Sequence, residues 1–124
     1  MHELTVEVQF SAAHQIKGHP GPCARLHGHN YAAAITISGD RLNDHGMLLD
    51  FGELKAICRD AIAPLDHTFL NELPAFADAN PTAENLSRQV YQAVAAALAP
   101  SHVGLRVVRV TVRESETSSA TYWE

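Results

Sequence analysis

"LTVEVQF", residues 4–10, alternates without a break. Leu4, Val6, Val8 and Phe10 fall on one parity, and Thr5, Glu7 and Gln9 on the other. Successive side chains of a strand point to opposite faces, so the stretch predicts a strand half-buried against a core. The remaining apolar segments sort by whether they share that period. Residues 29–38 do, with Tyr31, Ala33, Ile35 and Ile37 on one parity. Residues 105–113 do as well, but the parity slips at Val107-Val108, which predicts a bulge. A short last strand is predicted over 118–123. Two segments follow the helical period instead. Phe51, Leu54, Ile57, Cys58, Ala61 and Ile62 form one stripe, opened by Asp50 with Glu53 in capping-box spacing and stopped by Pro64. Leu86, Val90, Val94 and Leu98 step by four, starting near Asn80-Pro81 or Thr82 and ending at Pro100. Residues 15–26 contain "GHPGP" and read as a loop, and "GDRLNDHG" (39–46) as a turn. The order is β-β-α-α-β-β, an α+β pattern with a four-stranded antiparallel sheet. Four strands cannot close a barrel, so the sheet has edges that another chain could pair, and self-association is expected.

The chain has 124 residues, the size of one domain spanning 1–124. Such a chain buries roughly two-thirds of its unfolded surface and needs no disulfide staples. The formal charge of -5 argues against nucleic acid or an anionic membrane as partner, though not against an anionic small molecule. The opening "MHELTVEVQF" has neither a basic n-region nor an apolar h-region, and no apolar run is long enough to span a bilayer. The expectation is a soluble, cytoplasmic protein whose two cysteines, Cys23 and Cys58, are reduced.

The chemistry gathers in "CARLHGHN", residues 23–30. On a strand, His27 and His29 point to the same side and can aim at one ion. A third ligand is needed for a tight zinc site, and His14 is the best candidate, at the end of a strand that can lie beside the start of the next. Three histidines with no fourth protein ligand describe a zinc site with an open position. The alternative is a chance pair of surface imidazoles in a chain with eight histidines. His19, His45 and His102 lie in loop-like segments and read as solvated. Cys23 has two readings, an acid/base thiol beside the metal or a fourth ligand closing a structural site. Cys58 sits on the apolar stripe of the first helix and reads as core. Asp66-His67, in "LDHTFLN", places a carboxylate beside an imidazole, which can fix its tautomer, although a plain surface pair is the commoner outcome. Glu114 shares parity with Val108, Val110 and Val112 and so continues an apolar face. There it needs a partner with N–H donors, unless the strand has already ended and the carboxylate is solvated.

"FSAAH" (10–14), "CARLHGHNY" (23–31), "GMLLDFGELK" (46–55), "LDHTFLN" (65–71), "NPTAENL" (80–86) and "VRESETSSATY" (112–122) together resemble the 6-pyruvoyltetrahydropterin synthase superfamily. The resemblance runs in family order along nearly the whole chain. It is closest to the bacterial 6-carboxytetrahydropterin-forming branch of queuosine (7-deazapurine) biosynthesis, whose spacing from cysteine to the H-x-H pair this chain shares. It implies a tunnelling fold (T-fold), in which four antiparallel strands carry two helices on one face. Trimers of that fold close a twelve-stranded barrel and often pair into hexamers. It implies zinc on His14, His27 and His29, proton transfer by Cys23, Asp66 and His67, and Glu114 as anchor for the pterin ring. The substrate it implies is 7,8-dihydroneopterin triphosphate, with 6-carboxy-5,6,7,8-tetrahydropterin, acetaldehyde and triphosphate as products of a lyase. It implies the metal acidifying the side-chain hydroxyls while Cys23 and His67 move protons.

Three rivals bear on the same residues. Pyruvoyl formation without carbon–carbon cleavage lies within the family, and acetaldehyde release discriminates it. A cupin oxygenase also uses H-x-H on a strand but wants a glutamate four or five residues beyond His29, where Ala33 and Ala34 stand. A non-enzymatic zinc module gives no reason for Asp66-His67 or an inward Glu114.

Overall fold

A computed structural model describes residues 1–124. The alternating N-terminal stretch forms β1 (His2–His14), which pairs antiparallel with β2 (His27–Gly39) along its full length, from His2 opposite Gly39 to His14 opposite His27. That register carries Val6, Val8, Phe10, Ala12 and His14 onto one buried face together with Tyr31, Ala33, Ile35 and Ile37. Helix α1 (Phe51–Ile62) and helix α2 (Ala83–Leu98) cover that face, and one hydrophobic core lies between. Leu54, Cys58 and Ile62 of α1 and Leu86, Val90, Val94 and Leu98 of α2 are all buried in it. Burying each such side chain contributes about 1.5–3 kcal/mol, so truncating Ile35 or Leu86 to Ala removes a large part of a typical domain's margin.

Asp50 caps α1 by accepting from the Glu53 amide at 3.2 Å, and Thr82 caps α2 by accepting from the Asn85 amide at 3.2 Å. The capping box on α1 is only half made. Glu53 turns its carboxylate to His102, whose Nε2 lies 3.1 Å away, while Ser101 meets the other ring nitrogen at 2.9 Å. His102 is thus a clasp between the loop after α2 and the first turn of α1, not the solvated side chain expected. His19 and His45 are exposed as anticipated. Pro64 ends α1 through a tight turn over Ala63–Leu65.

The sheet has five strands in the order β3-β1-β2-β4-β5, with β4 (Arg106–Ser115) and β5 (Ser118–Tyr122) antiparallel to their neighbours. The expected four-stranded antiparallel sheet is corrected here. β3 (Thr68–Phe69) pairs parallel to β1, with Thr68 opposite Ala12 and Phe69 opposite Ala13, so the sheet is mixed. Two residues are too few to show a period, which is why the pattern could not announce them. One chain closes no barrel: β3 covers a short part of the outer edge of β1, and the far side of β5 is open.

The bulge lies where the parity slipped. Ile37 pairs with Val107 and Thr36 with Arg109, leaving Val108 as the extra residue. Val107, Val110 and Val112 therefore share the core face and Val108 leaves it, a correction to the expected inward set. No helix is long and apolar enough to cross a membrane.

Candidate metal centre and proton-transfer edge

His14 ends β1, and His27 opens β2 directly opposite it. His29 lies two residues on, so all three rings point to the buried side. Their ligand nitrogens lie within 4.8 Å of one another. His14 is almost fully buried, and its Nδ1–H donates to the Pro81 carbonyl at 2.7 Å, while His27 Nδ1–H donates to the Arg25 carbonyl at 2.7 Å. A carbonyl only accepts, so both tautomers are fixed and both Nε2 lone pairs face inward. Those two nitrogens stand 2.9 Å apart. Two lone pairs at that distance repel unless a cation or proton lies between them. His29 Nε2 is buried with no hydrogen-bond partner. Burial, the largest cause, holds the His29 pKa below its ordinary value, helped by His14 and His27 and opposed by Glu114. A neutral imidazole with an orphaned nitrogen, two others locked with lone pairs inward, and carbonyls fixing the outer N–H groups fit a zinc-type ion.

Glu114, at the end of β4, is half-buried and turned toward the histidines, the inward one of its two readings. One carboxylate oxygen is 3.5 Å from His14 Nε2 and 3.6 Å from His29 Nε2. The Tyr31 hydroxyl lies 3.2 Å from His14 Nδ1, and burial followed by the Glu114 charge raises its pKa, so it stays a neutral phenol. Tyr31 and the Pro81 and Arg25 carbonyls support the cluster but were not assigned to the site from the sequence. The tyrosine at the end of "CARLHGHNY" was the only available signal, since a backbone carbonyl leaves no trace in residue types.

Cys23 sits in a single 3-10 turn, Pro22–Ala24, and is exposed. It does not belong to the group of converging ligand atoms, so it adds no fourth ligand to the three histidines. Cys58 is buried, its thiol pKa pushed up to about 12 by desolvation, as befits a core residue.

Asp66 and His67 stand at the outer edge of β1, just before β3. His67 Nδ1 is 2.9 Å from Asp66 Oδ1, and the same oxygen accepts the Ser11 amide at 2.9 Å. The Ser11 amide is the largest cause, with His67 second, of an Asp66 pKa held below the ordinary carboxylate value. His67 donates its own amide to Ser11 O at 2.6 Å and adopts φ 56°, the only non-glycine positive φ in the chain. Its side chain is 81% exposed. Within one chain, then, the histidine cluster with Glu114 forms one group. Asp66-His67 forms another, with no hydrogen bond to that cluster or to Cys23.

Comparison with known proteins agrees with this geometry. The family model described as 6-pyruvoyl tetrahydropterin synthase matches residues 3–124. A protein of Bacillus subtilis named 6-carboxy-5,6,7,8-tetrahydropterin synthase is 37% identical over 125 residues, covering 97% of this chain and 84% of its own. A Synechocystis protein of the same name is 35% identical over 122 residues, covering 94% and 89%. Among solved structures, the Caenorhabditis elegans 6-pyruvoyl tetrahydropterin synthase superposes with a TM-score of 0.84 over 100% of this chain and 97% of that one. At 24% identity, that likeness speaks to the fold alone.

Proposed function

The chain belongs to the 6-pyruvoyl tetrahydropterin synthase family, and from that premise we propose that it is a zinc-dependent 6-carboxy-5,6,7,8-tetrahydropterin synthase. The reaction takes 7,8-dihydroneopterin triphosphate and one water to 6-carboxy-5,6,7,8-tetrahydropterin, acetaldehyde and triphosphate, a lyase step toward 7-deazapurines such as queuosine. The observation that carries the reading is the convergence of His14, His27 and His29, with His29 Nε2 buried and unpartnered. The names of the relatives support the carboxy-forming branch over its pyruvoyl-forming sibling.

His14, His27 and His29 would hold the zinc. Bound there, it supplies Lewis acidity toward the hydroxyls of the substrate's side chain. The remaining roles fall to the chain itself. Glu114 accepts from adjacent N–H groups of the pterin's amino-pyrimidine edge, which orients the ring beside the histidines. Asp66 holds His67 Nδ1–H, so Nε2 faces outward, free to take or deliver a proton. Cys23 moves the other proton from its exposed loop. No hydrogen bond joins Asp66-His67 to Cys23 within a chain, and, as the family resemblance implies, a homo-oligomer, a trimer or a dimer of trimers, would bring the pair of one subunit to the thiol of the next. The open edges of β1 and β5 support such pairing.

The test is direct. Purified zinc-loaded protein is incubated with 7,8-dihydroneopterin triphosphate and the products are identified by mass spectrometry. Acetaldehyde and the 6-carboxy product are expected. A pyruvoyl product without acetaldehyde would move the chain to the sibling reaction.

A further inference from the structure

Two asparagines in the motifs that carry the resemblance have no part in the chemistry above. Asn71 closes "LDHTFLN" and Asn80 opens "NPTAENL". Asn71 Oδ1 accepts the Gln15 amide at 2.9 Å and its Nδ2 donates to the Gln15 carbonyl at 2.9 Å. Asn80 repeats the arrangement on Lys17, accepting its amide at 2.9 Å and donating to its carbonyl at 3.0 Å. Each side-chain amide thus serves both backbone groups of one residue, as a neighbouring strand would. β1 ends at His14, yet its line of pairing continues to Lys17 on two side chains.

Ile16, between the two clamped residues, faces the other way. Its amide donates to the Cys23 carbonyl at 2.8 Å. The loop bearing the thiol is therefore pinned to a segment that Asn71 and Asn80 hold from behind. Both asparagines are tied to other parts of the site. Asn71 lies four residues after His67. The Asn80 carbonyl accepts from Asn85 Nδ2 at 2.8 Å, and the next carbonyl, Pro81, holds His14 at 2.7 Å. The clamp requires one donor and one acceptor at a fixed short reach. Aspartate offers only acceptors and would face a carbonyl oxygen, while glutamine sets the same head one methylene too far.

We propose that Asn71 and Asn80 are positioning residues that fix the Cys23 loop relative to the histidine cluster, acting through Gln15, Lys17 and the Ile16–Cys23 backbone bond. The proposal rests on the reading of Cys23 as a proton-transfer group. Asn71→Asp and Asn80→Asp are nearly isosteric and are studied in the zinc-loaded protein. Alkylation of Cys23 by iodoacetamide is followed across pH by peptide mass mapping, which separates it from buried Cys58.

Zinc content stays at the wild-type level. The alkylation rate at fixed pH changes by about threefold or more and its pH midpoint moves, because the thiol's surroundings have changed. Turnover falls roughly 10–100-fold in kcat with KM within about twofold, as for a displaced acid/base group. In a Cys23→Ala background the same substitutions cost nothing further, since they act through the thiol. Unchanged alkylation rate and midpoint in folded, zinc-loaded variants overturn the clamp, and so does an undiminished cost in the Cys23→Ala background. A fully active Cys23→Ala protein would instead sink the proton-transfer reading, while the alkylation data still judge the clamp. Wild-type hydrogen exchange gives a check that needs no variant. The amides of Gln15, Ile16 and Lys17 exchange as slowly as those of β1, and loop-like exchange there overturns the proposal.

Discussion

The histidine cluster and the Asp66-His67 pair are both attached to the last residues of β1, yet they are built in opposite ways. The cluster faces the core. The outer nitrogens of His14 and His27 are tied to carbonyls, and one carboxylate stands against the cluster. The pair faces outward at the sheet edge, with an exposed ring and a backbone in the left-handed region. Each ligand nitrogen has to be deprotonated to take an ion, and bonds to carbonyls aim two of these three. A proton-transfer pair that serves another subunit has to project from its own. Under the proposed function, the contrast divides the site into a binding half complete in one chain and a proton-moving half offered to a neighbour.

The largest expected effect tests the self-contained half. His27→Ala or His29→Ala removes one of three ligands and should abolish both turnover and the zinc content of about one ion per chain measured by elemental analysis. Full activity in a metal-free preparation breaks the comparison at its root. Next comes the shared half. Cys23→Ala should keep zinc and lose on the order of 10²-fold in rate. Oligomers of Cys23→Ala alone or His67→Ala alone should be nearly inactive. Co-refolded mixtures should recover part of the wild-type rate, because some interfaces receive an intact thiol from one chain and an intact imidazole from the other. Mixed oligomers that form by mass spectrometry and stay inactive would place the whole site within one chain.

Glu114 separates the two halves by a smaller effect. Glu114→Gln puts a donor where a pterin N–H points, so affinity for a pterin product should fall about tenfold, with zinc retained. Loss of zinc in that variant would make the carboxylate a metal ligand. The two regions should also differ in acid. In metal-free protein the unfolded chain protonates His29 as pH falls below about 6.5, while the folded state resists until its lower value. That contribution is fully present above 6.5 and is lost on the way down. The Asp66 carboxylate is likewise held down, so its stability is present above about 3.9 and is lost only below that. Urea midpoints against pH, compared for wild type, His29→Phe and Asp66→Asn, should show the first loss vanish in one variant and the second in the other. Identical profiles would mean that neither environment differs from the unfolded one.

How much of this was legible depended on period and on residue type. β1, β2, both helices and the bulge at Val107-Val108 announced themselves through alternation or a step of four. His27 and His29 were readable because residues two apart on a strand share a side, and His14 because the end of β1 lies opposite the start of β2. β3 was not, since Thr68-Phe69 is too short for any pattern, and its existence depends on Ser11 pairing with Asp66 and His67. Val108 was assigned to the core because parity was counted through the bulge. The roles of Pro81 and Arg25 were illegible for a simpler reason: a carbonyl is present at every position, and only the fold selects which one meets a ring. Residue types alone left Cys23 unplaced relative to Asp66-His67, because spacing along a chain does not say which groups share a subunit.

The smallest effect concerns the backbone of His67. A non-glycine residue in the left-handed region costs about 1–2 kcal/mol, and glycine occupies that region with no such penalty. Neither His67→Gly nor His67→Ala keeps the pair with Asp66, so comparing these two removes the ion pair from the balance. His67→Gly should then be more stable than His67→Ala by about 1 kcal/mol, after allowance for glycine's greater freedom when unfolded. Denaturant midpoints measured in zinc-loaded protein supply the check. Both variants should be equally inactive, because both lack the imidazole. That combination would mean the edge keeps a strained histidine for what it presents outward, whereas the buried cluster is held by bonds to its surroundings. Equal stabilities for the two variants would show that residue 67 is not held at positive φ, and the strain at the edge would disappear from the comparison.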